Sequence, residues 1–283
     1  MHSVAEKIAW RAGLLELKLR GAIPYVGWPR LLGAMQPAPA SSDDVQLLHA
    51  LLQVPIRSKG RVEDSSLVLW ETPLGDFWGR AGEAPLLAYH VKEQLDGVYQ
   101  REPVVVRAED VVFDAGANVG VFARVAFQRG ARLVVAFEPE PTNVCCLQRT
   151  FRRESEQGRF ILVEAALWES SGAKPFHLHG SSGASGSLLN RAGGAGVIQV
   201  PVTTLDETVE RLKLDRVDFI KMDIEGAERH ALRGGFQTLS RFGPRMALCI
   251  YHRADDPEAV PRLALEARPQ YRVFTTPTQA YLH

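Results

Sequence analysis

From Val104 to His283, short apolar runs alternate with amphipathic stretches, and this rhythm restricts the fold more than any other feature of the sequence. Val111–Ala115, Leu133–Phe137, Phe160–Ala165, Phe219–Met222, Met246–Tyr251 and Arg272–Thr275 have the length and character of buried strands. Between them, Val119–Gln128, Thr142–Glu156, Leu205–Leu212, Ala227–Leu239 and Pro257–Ala267 read as helices. Strands separated by helices pair in parallel, with the crossovers covering the sheet faces. The expected class is therefore α/β, a Rossmann-like sheet with helices on both faces.

The 104–283 core is preceded by an extension in two zones. Residues 1–61 hold an amphipathic stretch (Val4, Ile8, Leu15, Leu19), a Pro-rich break and a second helix from Ser42. In residues 62–103, Leu67–Trp70 and Gly75–Trp78 flank a Thr72-Pro73 turn and predict a hairpin, followed by a helix over Pro85–Tyr99. The aromatic residues of this zone, Trp70, Phe77, Trp78, Tyr89 and Tyr99, read first as core. Gly180–Ser187 and Arg191–Gly196 break the rhythm with small residues and predict a surface loop, or a lid over a ligand.

Charge narrows the partners. Thirty-three basic and thirty-three acidic residues cancel, which argues against a nucleic-acid substrate, since phosphate neutralisation needs a basic excess. Three cysteines without a C-x-x-C pair suit free thiols in a reducing compartment, and the cytoplasm is the expected location. No apolar run is long enough to predict a transmembrane helix.

The chemistry concentrates in two places. Val111-Val-Phe-Asp114-Ala-Gly116-Ala-Asn118-Val-Gly120 is a strand, a tight turn and a helix start. Such a turn presents backbone N–H groups at the carboxyl end of a sheet, where ligands of open α/β folds bind. It reads G-x-N-x-G rather than the dinucleotide G-x-G-x-x-G, and Asp114 is ill placed for a pyrophosphate. A cationic sulfonium with an amino-acid tail suits an acidic turn better. Glu138, before Pro139, ends the second strand, where a carboxylate can accept hydrogen bonds from both ribose hydroxyls. Glu164 and Ala165 end the third strand.

The second place is Lys221-Met-Asp223-Ile-Glu225-Gly226-Ala-Glu228, at the end of the fourth strand, together with His252 beyond the fifth. Asp223, Glu225 and His252 are candidates for a general base or for orienting a substrate hydroxyl. No metal is assigned, although the same three residue types suit a divalent ion and that alternative stays open. Glu228 reads as structural, in the first turn of a helix, and Lys221 as a lysine reaching outward from the strand end. His90 and His230 read as solvated helix residues, and His177 and His179 as one face of a short strand.

DAGANVG, AFEPEPTNVCCLQR, VPVTTLDE and VDFIKMDIEGAERHALRGG, in that order, resemble the FkbM-type methyltransferases over about Val104 to His252. Tyr251 stands where the family often has an acid. The resemblance implies a class I methyltransferase sheet, S-adenosylmethionine as methyl donor, and a hydroxyl of a small molecule, such as a polyketide or a sugar, as acceptor. It makes Asp114, Gly116, Asn118, Gly120, Glu138, Pro139, Glu164 and Ala165 the cofactor side and Asp223, Glu225 and His252 the catalytic side. N-methylation and a catalytically silent binding protein remain as alternatives, and a homodimer as an open option.

Overall fold

The structure is a computed structural model. It describes residue 15 and residues 50–51, 53–61, 66–179, 185–189 and 196–283. The two helices expected before Arg61 lie outside these residues except at Leu15, Ala50, Leu51 and Gln53, which are helical. The chain forms two compact units, Met1–Asp96 and Gly97–His283.

The first unit contains an antiparallel meander of β1 (Arg57–Arg61), β2 (Leu67–Thr72) and β3 (Gly75–Arg80), followed by α1 (Ala84–Leu95). The expected hairpin is β2–β3. Its turn is closed by Thr72, whose hydroxyl donates to the Gly75 carbonyl at 2.8 Å and accepts from the Leu74 N–H at 3.1 Å. Alternation along the two strands buries Trp70 and Phe77, as expected of core aromatics. Helix α1 starts with Pro85 in its first turn and ends at Leu95, short of the expected Tyr99.

The second unit is built on a seven-stranded sheet. It contains β4 (Val111–Ala115), β5 (Leu133–Phe137), β6 (Phe160–Val163), β11 (Phe219–Met222), β12 (Arg245–Cys249), β13 (Val273–Thr275) and β14 (Gln279–Leu282). The order is β13-β14-β12-β11-β4-β5-β6. The five strands from β12 to β6 are parallel, and β14 runs antiparallel to both its neighbours. Successive residues of β4 and β5 point to opposite faces, so each face has its own core. Val111, Phe113, Val135 and Phe137 pack with α5 (Leu205–Arg211), α6 (Glu228–Arg233), α7 (Phe236–Phe242) and α8 (Asp256–Ala267). Val112, Val134 and Ala136 pack with α2 (Val121–Gln128), α3 (Pro141–Thr150) and Phe151, which precedes α4 (Arg152–Glu156). The α/β class with helices on both faces is thus the observed one.

Two expected helices are each split. The run 142–156 breaks at Phe151, whose fully buried ring lies under Gly120 and stacks on Phe160 with centroids 4.5 Å apart. The run 227–239 breaks at Gly234-Gly235, where the chain passes so close to Trp168 and Leu205 that neither position has room for a side chain.

A second sheet lies between β6 and α5 in sequence: β7 (Ala166–Leu167), β8 (Gly172–His179), β9 (Ser185–Ser187) and β10 (Gly196–Thr203), in the order β7-β10-β8-β9. Trp168, Phe176, Val200 and Val202 form its core with Ala227, and Leu188, Leu189 and Ile224 pack against it. Most of the expected Gly180–Gly196 loop lies outside the described residues, but Ser185–Ser187 is a strand rather than loop.

Gly120 has φ 91°, and a Cβ there would collide with the Phe151 and Leu147 side chains. Left-handed backbone and overpacking each cost an L side chain about 1–3 kcal/mol. Gly120→Ala should therefore lower unfolding free energy by about 2–5 kcal/mol in urea titration. Gly158, also left-handed at φ 69° but with open space around it, should lose only about 1–2 kcal/mol on the same change.

Candidate active site

The turn after β4 is set by one buried cation. Lys221 on β11 pairs in register with Asp114 on β4. Its ammonium lies 3.3 Å from Asp114 Oδ1 and donates to the carbonyls of Gly116 at 2.7 Å and Ala115 at 3.2 Å. Both side chains are buried. Burial pushes the Asp114 carboxyl up, against the pull of Lys221. Burial alone would lower the Lys221 pKa, but Asp114 and Asp223 hold it above its ordinary value. The expectations for both residues change accordingly. Lys221 does not reach outward, and Asp114 sits beneath the turn, with its charge met inside the protein.

Above this pair the backbone turns sharply. Gly116 at φ 76° passes so close to the Asp223 carbonyl that no Cβ fits. The N–H groups of Gly116 and Ala117 both donate to the Phe137 carbonyl, at 3.1 and 3.0 Å. Asn118, at φ 51°, then directs its N–H to Glu138 Oε2 at 2.8 Å. Glu138 Oε1 accepts from the Glu140 N–H at 3.0 Å and from Asn143 Nδ2 at 3.4 Å. Burial raises this carboxyl to about 7, against the lowering effect of these three donors. Half-buried Pro139 carries the chain from Glu138 into the start of α3. Gly120 packs α2 closely on Phe151 and Leu147.

Farther along the strand ends, Glu164 is exposed and accepts from Gln148 at 2.9 Å, while Ala165 is buried in a tight turn back to the Val163 carbonyl. Both border an open cleft of ≈ 630 Å³, together with Val163, Thr203, Glu207 and Arg211.

On the other side of the turn, Asp223, Glu225 and His252 come together as expected, and a third carboxylate joins them. His252 Nε2 lies 3.5 Å from Asp223 Oδ1 and 3.6 Å from Glu225 Oε2. Its Nδ1 lies 3.2 Å from Glu228 Oε1. Glu228 does cap the turn structurally, accepting the Ile224 N–H at 2.9 Å, but the same oxygen faces the imidazole. Burial by itself would lower the His252 pKa; Glu228, Asp223 and Glu225 outweigh it and raise the pKa above the ordinary 6.5. Tyr99 OH donates to the other Asp223 oxygen at 2.8 Å. Tyr251 is half exposed, its ring centroid 4.2 Å from that of His252.

Glu225 has φ 56°, unusual for a residue with a side chain. Buried Ser187 donates to its carbonyl at 2.7 Å and accepts the Leu189 N–H at 3.0 Å. The described part of the small-residue segment therefore touches the Asp223–Glu228 turn. Tyr99, Ser187 and the contact of Glu228 with His252 escape sequence reasoning, because each joins residues far apart in the chain. His230 is not solvated: it stacks on Trp168 with centroids 3.6 Å apart and lies 3.1 Å from Glu169. His90 pairs with Glu93 at 3.1 Å, and His177 is half-buried.

Residues 114–271 match the family model described as the methyltransferase FkbM domain, and the chain belongs to that family. The hexuronic acid methyltransferase AglP of Haloferax volcanii is 27% identical over 160 residues, covering 56% of this chain and 63% of the relative. The 31-O-demethyl-FK506 methyltransferase FkbM of Streptomyces tacrolimicus is 27% identical over 184 residues, covering 54% and 69%. The chain thus spans about two thirds of these curated relatives. The crystal structure of methyltransferase FkbM from Methylobacillus flagellatus superposes with a TM-score of 0.51 at 20% identity, over 86% of this chain and 56% of that one. That likeness gives the fold as a class I methyltransferase sheet. Among the described residues no helix is long and apolar enough to cross a membrane.

The position of Glu138 has a measurable consequence. Its pKa rises from 4.5 to about 7 on folding, so between these values the folded chain holds a proton that the unfolded chain has released. The stability this contributes is complete below about pH 4.5 and is lost as pH rises through about 7. Urea unfolding of the ligand-free protein should show this decline, and Glu138→Gln, which does not titrate, should flatten it.

Proposed function

We propose that the chain transfers a methyl group from S-adenosylmethionine to a hydroxyl of a small molecule. One observation carries this reading: in a member of the FkbM family, a glycine turn with a buried ribose-type acid and an acid–histidine cluster lie on opposite sides of a single backbone segment. Asp223 N–H donates to the Ala115 carbonyl at 3.1 Å, so the two halves are fastened to each other.

In this reading Glu138 would accept from the ribose hydroxyls, the Gly116–Asn118 turn would hold the amino-acid end, and the Glu164–Ala165 turn would meet the adenine. Asp114 contributes indirectly, by holding Lys221 under the turn. The methyl points toward Asp223, Glu225 and His252. There the acceptor hydroxyl is aligned with the carbon–sulfur bond and gives up its proton to the cluster. Alignment of this kind can supply about 7–11 kcal/mol in well-oriented cases. The relatives' names, one for a hexuronic acid and one for 31-O-demethyl-FK506, favour oxygen over nitrogen as the acceptor.

Two measurements test the assignment. Glu138→Ala should weaken S-adenosylhomocysteine binding by about 1.5–3 kcal/mol, the worth of hydrogen bonds to a charged group, read by calorimetry; unchanged affinity removes Glu138 from the ribose. Asp223→Ala and His252→Ala should slow single-turnover methyl transfer about 10²–10⁴-fold, with cofactor affinity nearly unchanged. Wild-type rates in both would leave alignment alone as the source of catalysis.

A further inference from the structure

The carboxylates around His252 are arranged in a way that proton transfer alone does not require. One ligand atom from each of Asp223, Glu228 and His252 lies within 4.8 Å of the others. Ligand atoms at bonds of about 2.0–2.2 Å stand about 3.3–3.6 Å apart around a tetrahedral ion, so atoms as far apart as 4.8 Å must close by roughly 1.3 Å as the ion enters. Glu228 is fully buried, and its Oε2 has no hydrogen-bond partner. A buried carboxylate oxygen without a donor is costly, by about 1–3 kcal/mol or more for a charged group. A cation would satisfy it.

The surroundings match. Ligating carboxylates are usually fixed by a donor on their other side. Tyr99 holds Asp223 through Oδ2, leaving Oδ1 toward the imidazole. The Ile224 N–H holds Glu228 through Oε1. His252 has a nearly buried side chain that faces the carboxylates of Asp223, Glu225 and Glu228 within 3.2 to 3.6 Å.

We propose that Asp223, Glu228 and His252 form a binding site for one divalent cation of the Mn²⁺ or Zn²⁺ type. Two carboxylates and an imidazole are the donors such ions accept, whereas Mg²⁺ favours oxygen alone. The proposal rests on the methyltransferase reading only for what the ion does, not for whether it binds. Beside an acceptor hydroxyl, the ion acts as a Lewis acid that lowers the cost of deprotonation. The oxygen–methyl bond then forms as the methyl–sulfur bond breaks. The bonding pair stays on sulfur, which becomes a neutral thioether, and the hydroxyl proton passes to Glu225. This carboxylate is more exposed than the three ligands and is free of any role on the ion.

The test needs no acceptor. The full chain, stripped with chelator and desalted, is titrated with Mn²⁺ and followed by electron paramagnetic resonance, with Zn²⁺ as competitor. The expected result is one Mn²⁺ per chain, a nitrogen coupling from directly bound imidazole, and at least a tenfold loss of affinity in Glu228→Gln. Asp223→Asn, at a less buried position, serves as a second variant should Glu228→Gln fail to fold, with circular dichroism as the check. No binding of either ion, or binding without nitrogen coupling and unchanged in a folded variant, overturns the proposal. S-adenosylhomocysteine titration of the same samples separates the two readings. Cofactor binding without metal binding defeats only the cation site, and metal binding without cofactor affinity defeats only the methyltransferase reading.

Discussion

The buried ammonium of Lys221 is the contact on which the rest of this architecture depends. It joins β11 to the first residues of the turn after β4 by meeting the Asp114 carboxylate and two consecutive carbonyls at once. An isolated buried ion pair is weak support for a fold, because desolvation consumes most of its Coulomb energy. Here the ammonium also donates to the Gly116 carbonyl and adds a second donor to the Ala115 carbonyl, which already accepts the Asp223 N–H. The geometry of Gly116 follows from this, since the turn is drawn down against the Asp223 carbonyl until no side chain fits. The Asn118 N–H then emerges toward Glu138 and fixes that carboxylate beside the turn.

The same contact fixes the acceptor side. Asp223 follows the last residue of β11, two residues from Lys221. The lysine faces down to Asp114 while the aspartate, beyond the strand end, meets His252 and Tyr99. His252 reaches this place because β12 lies next to β11 and stops at Cys249, so that Ile250 to His252 can turn inward. Had the strand continued through Tyr251, as its apolar run suggests, His252 would extend away from the cluster. The exposed Tyr251 ring instead covers the imidazole.

How much of this was legible in the sequence depends on the range of the interaction involved. β4, β5 and β11 were read with their observed ends, because buried parallel strands are short apolar runs bounded by polar residues. The turn at Gly116–Asn118 and the acid at Glu138 were legible for the same local reason. The run at 142–156 kept its helical period through Phe151, and the break there comes from a ring packed under Gly120, a contact the period does not encode. β14 escaped notice since its four residues all face the core and show no alternation. The second sheet was hidden by the small residues between its strands, of which only Phe176–His179 stood out. Lys221 was misjudged because a charged side chain reads as exposed until the partner that permits its burial is known; Tyr99 and Glu228 were read as core and as structural, and only their contacts with Asp223 and His252 lay beyond the local pattern.

These partners also explain why the two halves of the site differ in kind. The side around Gly116 and Glu138, proposed to hold the cofactor, is made largely of backbone, from turns that glycine and a left-handed asparagine allow, and Glu138 there is held by three N–H donors. The acceptor side is made of side chains from separate elements, with Glu225 kept in a strained backbone conformation by Ser187 of the second sheet. Strain at a non-glycine residue persists only where its surroundings over-determine it. Ile224 and Ala227, on either side of Glu225 and Gly226, pack into the core of that sheet, so the small sheet and the acid–histidine cluster share one set of contacts. A change in how the second sheet packs is therefore felt first at Glu225 and His252 and only later at Glu138.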